Sequence, residues 1–226
     1  MMRRSLQLGS FARLVIMRPV SFVGKQSMRL ILASSSPRRR QLLSQMGIEF
    51  DIIKPMIDEA RREGEAPLAY VRRLSREKAE AVAATCDASP ALILSADTIV
   101  LLAADEAGIN EEGELLEKPR DAADARRMLR ALRARAHQLI TAITMKRIGP
   151  EEQVITRHAR TTVYMRDYSD AEIAAYIDSG DPFDKAGAYA IQNEAFHPVA
   201  RIEGSYSNVV GLPLEEVKAA LYEIGF

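Results

Sequence analysis

The sequence predicts an α/β fold with a mixed central sheet flanked by helices, and three observations carry that prediction. Short Ile-, Val- and Thr-rich runs alternate with amphipathic stretches through the first half of the chain, in an order close to β-α-β-α-β. Longer runs between Leu139 and Met165 read as paired strands in the middle of the chain. At 226 residues the chain can bury a substantial core, as one domain of two lobes or as two small domains.

The first 28 residues stand apart, with Arg3, Arg4, Arg13, Arg18 and Lys25 but no acidic residue before Glu49. Their composition resembles an organellar presequence, and equally suits a disordered tail or sequence upstream of a true start at Met28. The latter pair is favoured, with residues 29–226 as the folded domain. The apolar stretch Phe11 to Ile16 is broken by Arg13 and is far too short to span a bilayer.

Strands are predicted at Arg29 to Ala33, Phe50 to Ile53, Leu92 to Ala96, Ile99 to Leu102, Leu139 to Ile148, Val154 to Met165 and Val199 to Ile202. Helices are predicted at Arg38 to Met46, Pro67 to Thr85, Ala122 to Leu132, Asp170 to Ile177 and Leu214 to Ile224, where apolar residues recur three and four apart. Asp105 to Gly113 reads as a surface loop at a hairpin tip, and Asp178 to Asp184 as a flexible segment.

Charge and cysteine usage narrow the function. Lys plus Arg, 31 in all, equals Asp plus Glu, also 31, so no global field draws the protein to nucleic acid or to an anionic membrane. The single cysteine, Cys86, allows neither an intrachain disulfide nor a Cys-cluster metal site and reads as structural. His137, His158 and His197 show no ligand spacing, and the phosphate-loop, zinc-protease and serine-hydrolase signatures are absent from the sequence.

The strongest local signal is Ser34-Ser35-Ser36-Pro37-Arg38-Arg39-Arg40. Ser36 is a natural N-cap and Pro37 a natural first helical residue, which puts three arginines at the positive end of a helix. That placement is unfavourable unless an anion neutralises it, and free N–H groups, hydroxyls and guanidinium forks together suit a polyphosphate. Asp97 follows one apolar run and precedes another, which reads as a carboxylate at the end of a buried strand; it suits a divalent cation, an attacking water or a turn. Glu59, Lys78 and Lys118 are weaker signals. Lys185 opens a small-residue stretch that ends in Gln192, whose amide matches the O4 and N3–H edge of uracil or thymine. Gly204 to Asn208 reads as a polar turn.

In this order the clusters resemble the Maf family of septum-formation-related nucleotide pyrophosphatases. The resemblance runs from about Met28 to Phe226 through Ser34-Ser35-Ser36-Pro37-Arg38-Arg39, Ala96-Asp97-Thr98, Glu117-Lys118-Pro119, Asp184-Lys185-Ala186-Gly187-Ala188-Tyr189 and Gly211-Leu212-Pro213. The stretch from Lys185 to Gln192 looks like the branch acting on dTTP and UTP; the 7-methyl-GTP branch typically carries Cys-Ala-Gly-Gly-Phe there. The resemblance implies two lobes around a cleft, a chain often found as a dimer in the cytoplasm, and hydrolysis of a nucleoside triphosphate to the monophosphate and pyrophosphate with Mg²⁺ or Mn²⁺. It places the general base on Asp97, substrate specificity on Arg38, Thr98 and Gln192, and charged active-site positions on Glu59, Lys78 and Lys118. On that reading Ser34, Ser36, Arg38, Arg39 and Lys185 bind substrate, and Glu59 and Asp97 hold the metal. Asn193, where many members have glycine, departs from the pattern. The competing reading is a nucleotide-binding regulator of septum formation with negligible hydrolysis.

Overall fold

The computed structural model describes residues 28–87, 90–103 and 113–226. The 28-residue extension, apart from Met28, and nearly all of the predicted loop Asp105 to Gly113 lie outside them. One seven-stranded sheet organises the chain: β1 (Arg29–Ala33), β2 (Asp51–Ile53), β3 (Ala91–Ala103), β4 (Gly113–Leu116), β5 (Ala136–Ile148), β6 (Gln153–Met165) and β7 (Val199–Glu203). Their order is β2-β1-β3-β5-β6-β7, with β4 also paired to β3. β1 runs parallel to β2 and β3, and every later pair is antiparallel, so the sheet is mixed as predicted.

The helices are α1 (Pro37–Ser44), α2 (Pro67–Ala83), α3 (Ala122–Leu132), α4 (Asp170–Asp178), α5 (Tyr206–Val210) and α6 (Leu214–Ile224). α2 buries Val71, Leu74, Ala79 and Val82 against one face of the sheet, where Ile93 and Ile99 of β3 receive it. On the other face Leu42 and Leu43 of α1 and Val217 and Leu221 of α6 pack on Leu92, Leu94 and Ala96. Met128 and Leu129 of α3 and Ile173 and Tyr176 of α4 join a separate cluster with Val100 and Leu102. These two clusters on one face are the two lobes, and Ile191 packs against both.

β3 corrects the strand prediction. The runs expected as two strands are one, because alternation continues through the polar residues: Ser95 and Asp97 face α2, while Ala96 and Thr98 face the lobes. β1 pairs with β3 only as far as Ser95, and β4 begins its pairing at Val100. Among the described residues, the edge between them, Ala96 to Ile99, therefore has no strand beside it. Asp97 sits in the middle of a strand, at this gap.

Three further differences have local causes. The predicted flexible segment contains a 3-10 turn, Asp181–Asp184, tied by the Tyr176 hydroxyl donating to Asp181 (2.8 Å). The polar turn at Gly204 to Asn208 runs into α5, which Ser205 caps by accepting from Asn208 N at 3.3 Å. β4 is too short and too polar to be read from its sequence, Gly-Glu-Leu-Leu.

Candidate functional site

α1 begins as the sequence requires. Ser36 caps it, accepting from Arg39 N at 3.4 Å, Pro37 is the first helical residue, and no acidic side chain occupies the first turn. Ser34 is buried and serves the backbone: its hydroxyl accepts from Ser36 N at 3.1 Å, fixing the turn that carries the cap. The arginines of the first turn then diverge. Arg39 reaches into the gap in β3, where each of its three nitrogens donates to a neutral oxygen: Nη1 to Ala96 O (2.7 Å), Nη2 to Thr98 Oγ1 (3.1 Å) and Nε to Gly211 O (2.9 Å). It thus joins α1, β3 and the end of α5. Burial works against its charge, and the nearby Asp97 and Glu59 carboxylates support it. Arg38 is half-buried and faces Asp184 across the cleft at 3.5 Å. Arg40 is exposed.

A cleft opens between the lobes. Ser36, Arg38 and Arg39 form one wall, Thr98 the floor, and Lys185, Tyr189 and Gln192 the opposite wall. Gly211 adopts φ +117° here, and a Cβ at this position would stand 3.8 Å from Arg39 Nε; the positive φ is what favours glycine. Lys185 meets the cleft with its charge already matched, since its ammonium donates to Asp181 at 2.9 Å and to Asp184. Asn193 donates to Asp181 (3.1 Å) and accepts from Phe196 N (2.8 Å), stapling the loop beside Gln192.

On the α2 side of β3 lies a charged cluster. Lys78 Nζ stands 2.6 Å from Asp97 Oδ1 and 3.0 Å from Glu59 Oε1, with Lys78 and Asp97 side chains only 7% and 10% exposed and Glu59 52%. Desolvation raises the Asp97 carboxyl above its ordinary range, and the Lys78 and Arg39 charges oppose that rise. The Tyr70 hydroxyl lies 2.7 Å from Glu59 O and 3.1 Å from Glu117 Oε1, and burial pushes its own ionisation up.

The structure therefore gathers the predicted residues into two groups. Asp97, Lys78 and Glu59 form the charged cluster; Ser36, Arg38, Arg39, Thr98, Lys185 and Gln192 line the cleft; Arg39 and the β3 gap connect them. Lys118 is exposed in the segment after β4, beside Glu117. Among the described residues no group of three or more His, Cys, Asp and Glu side chains is arranged to hold a metal ion. Sequence reasoning missed Tyr70, whose position on α2 looks like ordinary core. It also missed His137, which is fully buried and bonds the Tyr189 hydroxyl at 2.8 Å behind the cleft wall.

The sequence has close relatives. Residues 29–224 match the family described as Maf-like protein. A dTTP/UTP pyrophosphatase of Chromobacterium violaceum is 46% identical, over 88% of this chain and 96% of the relative. Those of Geotalea uraniireducens and Vibrio cholerae are 48% and 45% identical, over 87% and 86% of this chain and 95% and 97% of theirs. Among solved structures, the Staphylococcus aureus Ham1 protein superposes with a TM-score of 0.45 at 14% identity, over 86% of this chain and 98% of that one, too loosely to inform the site. On the family match and these identities, the chain belongs to the Maf-like protein family.

Proposed function

We propose that this chain hydrolyses dTTP and UTP between the α and β phosphates, releasing the nucleoside monophosphate and pyrophosphate. The observation that carries the reading is a buried carboxylate, Asp97, on one face of a strand whose other face opens, through Thr98 and Arg39, into a cleft lined with arginines. The relatives' activity on the same two nucleotides supports it.

Arg38 and the N-terminus of α1 bind the phosphates, where unpaired N–H groups and guanidinium charge favour an anion. Thr98 and Gln192 read the pyrimidine edge, and Lys118 approaches the phosphates from the segment after β4. Asp97 orients the attacking water and takes its proton, with Lys78 holding the carboxylate in place and its burial making it a better base than an exposed aspartate. Glu59 and Asp97, the hard oxygen donors on either side of the Lys78 ammonium, would hold a Mg²⁺ or Mn²⁺ ion. When bound, that ion offsets charge developing at the α-phosphate. The activity suits a cytoplasmic house-cleaning enzyme, with canonical or modified pyrimidine nucleotides as substrates and a homodimer as the working form. Among the described residues no helix is long and apolar enough to cross a membrane.

Pyrophosphate release across a nucleotide panel, with and without Mg²⁺ or Mn²⁺, tests the proposal. The expected result is metal-dependent release that is greatest with dTTP and UTP. Tight dTTP binding with no release would favour the regulator instead.

A further inference from the structure

The segment between β2 and α2, residues 54–66, carries Glu59 and has no helix or strand of its own. Ile57 packs against the apolar cluster that includes Tyr70 and Leu74, and polar contacts also tie the segment to α2. Arg73 supplies the densest set. Its Nε and Nη2 donate to the two carboxylate oxygens of Glu65, both at 2.7 Å, Nη2 also donates to Ala60 O at 3.1 Å, and Nη1 donates to Glu77 Oε2 at 2.9 Å. The arginine is only 13% exposed, and Glu65 additionally accepts from Arg62 N at 3.2 Å. A bidentate arginine fixes both direction and distance, which a single contact does not.

The residue it grips through the backbone, Ala60, directly follows Glu59. The same helix presents Lys78 to the Glu59 carboxylate and the Tyr70 hydroxyl to the Glu59 carbonyl. α2 cannot slide to adjust these distances, because Val71, Leu74, Ala79 and Val82 are fully or almost fully buried against the sheet. We propose that Arg73 is a positioning residue: its clasp on Glu65 and Ala60 sets where the Glu59 carboxylate stands relative to Lys78 and Asp97. The inference rests on the proposed role of Glu59 in hydrolysis. Arg73 touches no reacting atom and acts only through the loop.

A double-mutant cycle with a second, activity-independent arm tests it. Arg73→Met keeps much of the volume but removes the fork, and is expected to lower kcat for dTTP about tenfold. Arg73→Met combined with Glu59→Gln is expected to be no slower than Glu59→Gln alone, because one change has already removed what the other positions. In the second arm, trypsin is expected to cut after Arg61 and Arg62 at least tenfold faster in Arg73→Met than in the wild type. Losses that multiply in the cycle, a normal kcat for Arg73→Met, or a normal kcat for Glu59→Gln would each overturn the proposal. Unchanged tryptic cleavage would overturn the clasp itself. A wild-type protein that releases no pyrophosphate would refute the functional reading and with it Arg73's part in hydrolysis, while the tryptic arm would still decide whether the clasp exists. Should Arg73→Met lose its cooperative thermal transition, Arg73→Lys, which keeps the charge without the bidentate geometry, is judged by the same criteria.

Discussion

On the α2 side of β3 every charge has a partner without any ligand: Lys78 on α2 has Asp97 of β3 at 2.6 Å and Glu59, on the segment clasped to α2, at 3.0 Å. On the cleft side the two arginines lack such close carboxylates. Arg39 donates to three neutral oxygens, and Arg38 has one mostly exposed aspartate at 3.5 Å. The first region resembles a finished piece of core and the second an anion site awaiting its anion. The difference teaches a division of labour in which the groups assigned to chemistry are held rigidly by the fold, while the groups assigned to binding keep unbalanced charge for the substrate. Substitutions on the two sides are therefore expected to fail in different ways.

The largest effect tests that division directly. Asp97→Asn is expected to reduce turnover of dTTP and UTP by roughly a thousandfold, within the usual span for losing a general base. Its affinity for a non-hydrolysable dUTP analogue, measured by calorimetry, is expected to stay within threefold of the wild type. Joint collapse of binding and turnover would mean that the two sides are one unit.

Lys78→Met comes next and is read as stability. It leaves Asp97 buried opposite Glu59 with their shared cation gone, a change that costs about 3–5 kcal/mol when a buried pair is broken from one side. Chemical denaturation measures it. A loss below about 1 kcal/mol would show that the cluster is solvated and that its balance does not hold the fold together.

How much of this was legible in the sequence follows the same divide. Ser36, Pro37 and the arginines announce the cleft wall, because capping rules and helix polarity are local and act over a single turn. Most strands and helices were legible for the same reason, through periodicity within each segment. The Asp97 environment was not, since it depends on where two other strands stop: β1 at Ser95 and β4 at Val100. A strand with a carboxylate in its middle reads as two strands until the helix carrying Lys78 is laid across it. Tyr70 and Arg73 were invisible for a related reason. On α2 they look like a core aromatic and a surface cation, and only the fold brings residues 54–66 to them.

A third prediction concerns pH and the wall behind the cleft. Burial lowers the His137 pKa to about 3 from an ordinary 6.5, so the folded protein keeps this ring neutral. The unfolded chain binds a proton as pH falls through 6.5 and the native state does not, so this residue's contribution to stability falls between pH 6.5 and about 3. The stability difference between wild type and His137→Leu is expected to move by about 1.4 kcal/mol per pH unit from pH 6.5 to 4.5, against the wild type. Taking the difference removes Asp97, whose raised pKa acts in the opposite direction. A flat difference would place water beside His137 and make the cleft wall softer than its burial indicates.

The smallest effect lies at the cleft mouth and separates binding from folding most cleanly. Arg38 is half-buried and its contact with Asp184 is long and partly solvated, so Arg38→Ala is expected to change unfolding free energy by no more than about 0.5 kcal/mol. Its charge nevertheless has only Asp184 as counter-ion, a carboxylate it shares with Lys185, until a phosphate arrives, and the adjoining helix N-terminus adds to the same field. The expected kinetic result is a KM for dTTP raised about tenfold, corresponding to about 1.4 kcal/mol, with kcat lowered less than threefold. Raising the salt concentration should shrink that gap, because the lost attraction is partly screened. A kcat loss matching the KM change would place Arg38 in the transition state and move part of the chemistry to the cleft side of β3. An unaltered KM would leave Arg39 and the α1 N–H groups as the whole of the anion site, with Arg38 kept for its reach toward Asp184 on the opposite lobe.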